Sequence, residues 1–257
     1  MEFALNYSHE AAALVRDGRL AIDRFKVPDW PEQIGVAGAL RPVYVHFPLH
    51  AATLPDDAAL NAVDRMAAET CTTFINVHLM AYAREFPDAE VAAAAMEAGV
   101  RRLVQRFGAD RVIVETVPLG DPEEGFAPIG TDPQFVRRVV EVTGCGFLLD
   151  LSHARLTARA TGVDARRYIE QLPVDRLREL HVTGLGMVGG KLKDHMPLTD
   201  SDWTELEWVA GRIRGITWAA PRMIACEYGG TGPAFRWRSD AAVIEAQVPR
   251  MREMLGV

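Results

Sequence analysis

Eight short, mostly apolar runs recur along the chain, and stretches with helical spacing separate them. This alternation constrains the fold more than any other feature. The runs are Phe3–Tyr7, Leu20–Val27, Pro42–Phe47, Thr73–Leu79, Arg111–Val117, Gly146–Leu151, Arg178–Thr183 and Arg222–Tyr228. Near-continuous apolar runs of this length suit strands buried on both faces of a parallel sheet. Between them, Leu60, Val63 and Met66 recur at helical steps. Val91, Met96, Val100, Leu103 and Phe107 read as one apolar helix face, stopped by Gly108. Asp132 and Pro133 read as an N-cap and a first helical residue, with Phe135, Val136, Val139 and Val140 inward and Gly144 at the end. Trp203, Leu206, Val209 and Ile213 form a further stripe. A last helix starts near Asp240, and Pro249 is expected to kink or divide it. Eight such units in 257 residues predict one α/β domain over 1–257, a single (β/α)8 TIM barrel. A doubly wound sheet would carry a glycine-rich turn after its first strand. Here that strand ends Asn6-Tyr7-Ser8-His9, and the first glycine is Gly18.

Composition narrows the setting. Hydrophobic residues make up 49% and charged residues 25%, the balance of a soluble globular chain. No run approaches the roughly 18 apolar residues of a membrane span, and residues 1–6 do not read as a signal peptide, so the cytoplasm is the default compartment. With 28 basic and 35 acidic residues the net charge is −7, which disfavours nucleic acid as a partner. Cys71, Cys145 and Cys226 are far apart and read as reduced, mostly buried thiols.

In such a barrel the catalytic face lies at the C-terminal ends of the strands. The third strand ends with His46, the fourth with His78, the fifth with Glu115, and the sixth with Asp150, followed by His153. The seventh carries His181 and the eighth Glu227, while Asp194 and His195 lie in the loop after strand seven. Taken singly, each has an ordinary reading: a rim histidine, a glutamate paired with an arginine, an aspartate capping a helix. Five of the seven histidines nevertheless fall in these places. Carboxylates and imidazoles converging on one mouth satisfy each other best around a metal, and this donor set suits zinc, manganese or iron.

At these residues the sequence resembles the xylose isomerase-like superfamily of TIM barrels, strand by strand over the whole chain. The resemblance implies a divalent metal held by Glu115, Asp150, His181 and Glu227. It implies that His153 contacts substrate in the epimerases of the superfamily and is a ligand in its multinuclear members. Endonuclease IV-like members add ligands that His46, His78 and His195 match. Asp194 departs from the pattern, because it stands directly beside His195 and not two positions before it, and its role stays open.

The first reading from this resemblance is a sugar or sugar-acid isomerase or epimerase. Glu115 and Glu227 exchange the proton through a metal-stabilised enediolate, and His153 binds a hydroxyl. The alternatives are a two- or three-metal phosphodiester hydrolase and a multinuclear non-haem iron enzyme that oxidises a peptide. The expected cofactor is one to three ions of manganese, zinc or iron. Asn6, Lys26 and Arg236 are the candidate substrate contacts. The loop of residues 229–238, with its glycines and arginines, suits a phosphorylated small molecule better than DNA. Trp30, Trp203 and Trp218 read as packing residues, and Trp237 as a candidate stacking group. Cys226 is expected to face the strand–helix layer. A homo-oligomer is left open.

Overall fold

The computed structural model describes residues 1–119, 125–232 and 238–257. In chain order the first elements are β1 (Glu2–Asn6), α1 (His9–Arg16), β2 (Arg24–Pro28), α2 (Pro31–Gly38) and β3 (Val43–His46). Next come α3 (Asp57–Glu69), β4 (Ile75–Leu79), α4 (Ala89–Phe107), β5 (Val112–Thr116), α5 (Pro133–Thr143), β6 (Gly146–Asp150), α6 (Leu151–Thr161) and α7 (Ala165–Gln171). The chain finishes with β7 (Leu177–Val182), β8 (Gly184–Val188), β9 (Lys191–Met196), α8 (Asp200–Arg214), β10 (Met223–Cys226) and α9 (Ala241–Leu255). Eight parallel strands alternating with helices make this an α/β, TIM-barrel-like fold.

The chain divides into two compact units, Met1–His46 with Leu180–Val257, and Phe47–Glu179. In the first unit the strand order is β3-β2-β1-β10, continuing to the C-terminal half of β7. Phe3 pairs with Ile224 and Phe25 with Val43 in parallel register. In the second unit the order runs from the N-terminal half of β7 through β6 and β5 to β4. There His78 stands in register with Glu115.

All eight predicted strands are present, with trimmed ends. The second begins at Arg24, not Leu20, because the Leu20 amide closes α1 by donating to the Leu14 carbonyl. The last ends at Cys226, which leaves Glu227 just past the strand. The hairpin β8–β9 is additional. Its antiparallel strands turn through Gly189 and Gly190, both at positive φ (59° and 80°), which this tight connection needs.

The helices follow their caps. Asp132 accepts from the amides of Gln134 and Phe135, Phe135, Val136, Val139 and Val140 are buried, and Gly144 ends α5 at φ 73°. In α4, Met96, Val100, Leu103 and Phe107 are buried and Gly108 terminates the helix. Val91 departs from the predicted face and is 56% exposed. Five residues separate it from Met96, which turns it about 140° around the helix at 3.6 residues per turn, and Ala92 takes the inward position instead. In α3 the buried residues are Leu60 and Ala67, with Val63 and Met66 half-buried, as is Ile213 in α8. Pro249 does not divide α9, which is assigned as one helix from Ala241 to Leu255. Ile244 and Val248 before the proline, and Met251 and Leu255 after it, are buried and hold both halves.

Trp203 and Trp218 are buried packing residues as expected, whereas Trp30 is 50% exposed at the start of α2. Cys145 and Cys226 are buried, and burial pushes their thiols up to about 11 and about 12. Two of the three thiols are thus buried, in line with the expectation of mostly buried cysteines; Cys71 is exposed because it lies in the turn after α3 at φ 52°. Among the described residues, no helix is long and apolar enough to cross a membrane.

Two outcomes follow. At pH 8 a thiol reagent should titrate one cysteine of the native protein rapidly, Cys71, and reach the other two only after denaturation; fast reaction of two or three would contradict this burial. Gly99 faces the Ala51 carbonyl so closely that a Cβ would lie 1.9 Å from its oxygen. Gly99→Ala should therefore cost roughly 1–3 kcal/mol in denaturant unfolding.

Candidate metal centre

In the second unit, Glu115 lies at the end of β5, is buried, and stands between two histidines. His78 Nε2 is 3.3 Å from Glu115 Oε2, and His153 Nδ1 is 3.3 Å from Glu115 Oε1. Asp150 ends β6 and performs two tasks. Its Oδ1 accepts the His153 amide at 2.8 Å, which caps α6, and its Oδ2 lies 3.7 Å from His153 Nε2. Glu115, Asp150 and His153 each offer one ligand atom, all within 4.8 Å of one another, and all three residues are buried. The sequence alternatives of helix cap and metal ligand are thus compatible in Asp150.

In the first unit the centre is Glu227. Its amide donates to the Val182 carbonyl, and its own carbonyl accepts from Asn6 Nδ2 at 2.9 Å and from His195 Nδ1 at 3.0 Å. These bonds fix the backbone while the carboxylate turns inward. Lys26 Nζ bonds Glu227 Oε1, His181 Nδ1 lies 3.3 Å from the same oxygen, and His195 Nδ1 lies 4.0 Å from Oε2. The rings of His46 and His181 are 5.3 Å apart between centroids. Burial alone would raise the Glu227 carboxyl, but the charges of His181, Lys26, His195 and His46 together hold it well below the usual range. Burial pushes His195 down, against Asp194 and Glu227. His195 also sits at φ 56°, unusual outside glycine, with its amide donating to Thr183 Oγ1 at 3.2 Å. Asp194 Oδ2 is 3.7 Å from His195 Nε2.

Three histidines share one hydrogen-bonding device. Nδ1 of His78 faces the Leu49 carbonyl at 3.3 Å, Nδ1 of His153 the Thr116 carbonyl at 2.9 Å, and Nδ1 of His195 the Glu227 carbonyl. A carbonyl can only accept, so Nδ1 is the donor in each of these contacts, and Nε2 is the ring atom left for a metal. Metal-ligating histidines are held in this way. Buried carboxylates beside oriented imidazoles make a donor set suited to zinc, manganese or iron. The residues present fit a metal ion.

A cavity of about 250 Å³ adjoins Glu227, with Asn6, Lys26, His46 and Arg238 among its lining residues. Asn6 and Lys26, both predicted substrate contacts, therefore face it. Arg236 and Trp237 lie outside the described residues. Trp30 and Gln33 also line the cavity and were not anticipated. They stand on α2, whose sequence offers no motif to mark them. Asn76 was missed as well: its side chain brackets the Phe47 backbone, accepting from the amide at 2.8 Å and donating to the carbonyl at 2.9 Å.

Comparison with known proteins bears on this arrangement. Residues 124–217 match the family model described as RiPP precursor modification enzyme MbnB/TglH/ChrH. A UPF0276 protein of Paraburkholderia phytofirmans is 41% identical over 54 residues, 21% of this chain; the chain thus spans about a fifth, 18%, of that relative's length. A UPF0276 protein of Chromobacterium violaceum is 24% identical over 81% of this chain and 74% of its own. Among solved structures, a D-tagatose 3-epimerase-like protein superposes with TM-score 0.65 at 13% identity, covering 100% of this chain and 98% of its own. A xylose isomerase-like TIM barrel protein from Mycobacterium smegmatis, in complex with magnesium, gives 0.63 at 12% identity, covering 99% and 96%. An AP endonuclease of family 2 from Brucella melitensis gives 0.52 at 15% identity, covering 90% and 95%. The resemblance to xylose isomerase-like TIM barrels therefore holds at the level of the fold.

Two outcomes are expected. In chelator-treated protein, Asp150→Asn should keep the α6 cap, whereas Asp150→Ala should cost about 1 kcal/mol by loss of that cap; after reloading, both variants should hold less metal than wild type. Glu227 is depressed relative to its unfolded value, so its stabilisation is present above the unfolded carboxyl range and lost as pH falls through the folded value. His195, depressed by burial, acts in the same direction below the normal histidine range. The melting temperature of metal-free protein should fall on acidification from pH 7 to pH 4, and Glu227→Gln should flatten the lower part of that fall. An acid limb identical in the variant would contradict the assignment.

Proposed function

We propose that this chain is an iron-dependent enzyme that oxidatively modifies a peptide, with dioxygen as the oxidant. One observation carries the reading: the segment matched by the RiPP precursor modification family, residues 124–217, contains Asp150, His153, His181, Asp194 and His195. That is a sequence-level match across candidate ligands, whereas the epimerases share the fold at 10–13% identity. The peptide reading therefore stands ahead of sugar isomerisation, which the sequence alone puts first. The supply of donors supports it too. The buried carboxylates Glu115, Asp150 and Glu227 are accompanied by His78, His153 and His195, each with Nδ1 directed at a carbonyl, more donors than one four-coordinate ion uses.

Bound iron would supply the redox equivalents and an open coordination position for dioxygen. The chain's own residues supply the rest. Glu115, Asp150 and Glu227 give buried negative charge, and the backbone carbonyls of Leu49, Thr116 and Glu227 fix the imidazole rings. The cavity beside Glu227 receives the reacting group of the substrate, with Asn6 at its wall and the charges of Lys26 and Arg238 beside it.

A second reading is a sugar epimerase. It is favoured by the cavity volume of about 250 Å³, near the lower end for small-molecule sites. In that reading Glu115 and Glu227 exchange the proton and His153 holds a hydroxyl.

One experiment separates the two. Protein loaded anaerobically with ferrous iron is incubated, before and after admitting air, with each short peptide encoded beside its gene, and separately with D-fructose and D-tagatose. A change in peptide mass that needs air and drops at least 100-fold in Glu115→Gln is the expected result. Sugar epimerisation without air, with the peptides unchanged, would overturn the peptide reading.

A further inference from the structure

The most unusual feature of the first unit is the ammonium group of Lys26. Lysine is almost never fully buried unless it is paired, and the Lys26 side chain is 4% exposed. Nζ bonds Glu227 Oε1 and lies 3.5 Å from His181 Nδ1, and these two atoms are 3.3 Å apart. The ammonium therefore occupies the place that a divalent cation held by these two atoms would take. A ligated metal stands roughly 2.0–2.2 Å from carboxylate oxygen and imidazole nitrogen, which leaves no room for Nζ on the same two atoms.

A destination lies close by. Lys26 and Gln33 line the same cavity of about 250 Å³. Gln33 Oε1 is buried and has no hydrogen-bond partner. It is an acceptor suited to an ammonium group, at the wall of a space large enough for a lysine end to move in. Among the described residues lining the cavity, Glu227 is the only acidic one.

We propose that Lys26 is a resident cation that holds Glu227 and His181 in ligand geometry in the metal-free protein, and that a divalent ion displaces it into the cavity, where its ammonium group meets Gln33 Oε1. Through the exchange the Glu227 carboxylate keeps a cationic partner at each stage. Without metal, Lys26 neutralises Glu227. With metal, Glu227 is a ligand, and the lysine charge is delivered to the cavity that faces substrate. The cavity then holds Lys26 and Arg238 with its one acidic residue engaged, a balance matched to an anionic group. This inference rests on the metal-centre part of the reading above and is independent of whether the substrate is a peptide or a sugar.

The test uses chelator-stripped full-length protein titrated with Mn²⁺ by calorimetry, wild type against Lys26→Met. Removing the competing ammonium should tighten Mn²⁺ binding at least ten-fold. It should also lower the melting temperature of the metal-free protein by roughly 6–10 °C, because one partner of a buried pair is gone, and Mn²⁺ should restore that loss. A crystal structure of Mn²⁺-loaded wild type provides the second reading should Lys26→Met fail to fold: Nζ should lie on Gln33 Oε1 and off Glu227. Equal or weaker Mn²⁺ binding in the variant, or a Lys26–Glu227 pair intact with metal bound, overturns the exchange alone. Failure of the wild type to bind Mn²⁺ or iron after reloading overturns the metal centre and the exchange with it.

Discussion

A buried carboxylate must keep a positive partner, because an isolated ion in a low-dielectric interior costs far more than any single packing contact returns. Glu115 and Glu227 are both buried at strand ends, and the surrounding structure is organised to meet this demand. Glu115 stands between His78 and His153, and Glu227 is held by Lys26 and His181. Charge of this kind is costly to retain in a fold that could bury apolar groups at the same positions. Its retention beside oriented imidazoles is what ties the fold to metal chemistry.

The parallel strands supply the placement. A strand in such a sheet is buried along its length, so its middle positions are apolar and polar groups collect at its end. Val112–Thr116 illustrates this: three buried β-branched residues lead to Glu115 and Thr116. The backbone then orients the imidazoles. The carbonyls of Leu49, Thr116 and Glu227 each face a histidine Nδ1, so main-chain geometry sets the orientation of three rings. The strained backbone of His195 belongs to the same arrangement, placing its ring against Glu227 from the end of a hairpin.

Much of this was legible in the sequence because burial leaves a periodic signature. Apolar runs gave eight strands, and Asp132-Pro133 with Gly144 gave α5 nearly to the residue. The polar residues at strand ends marked candidate ligands, because a charged residue that closes an apolar run has few structural reasons to be there; that they group as Glu115, Asp150 and His153 on one side and Glu227 with His181 and Lys26 on the other was not readable from their order. What escaped was set by tertiary contact. Gly189-Gly190 is a strong turn signal, but flanking residues such as Gly184 and Lys193 lack clear alternation, so β8 and β9 were not read as strands. Val91 was placed on a face that the helical period excludes. Pro249 was read by local rules, which the burial of α9 on both sides of it overrides. Trp30 and Gln33 reach the cavity from a helix that carries no motif, and the orientation of a ring nitrogen cannot be read from composition at all.

Metal content is the measurement that decides whether these carboxylates and imidazoles hold metal ions. Protein purified under low oxygen, without chelator or a histidine tag, is analysed by plasma mass spectrometry before and after reloading with iron. Two or three ions per chain are expected, falling by at least one in His78→Ala and in His195→Ala. A chain that binds no metal even after reloading would contradict the metal centre.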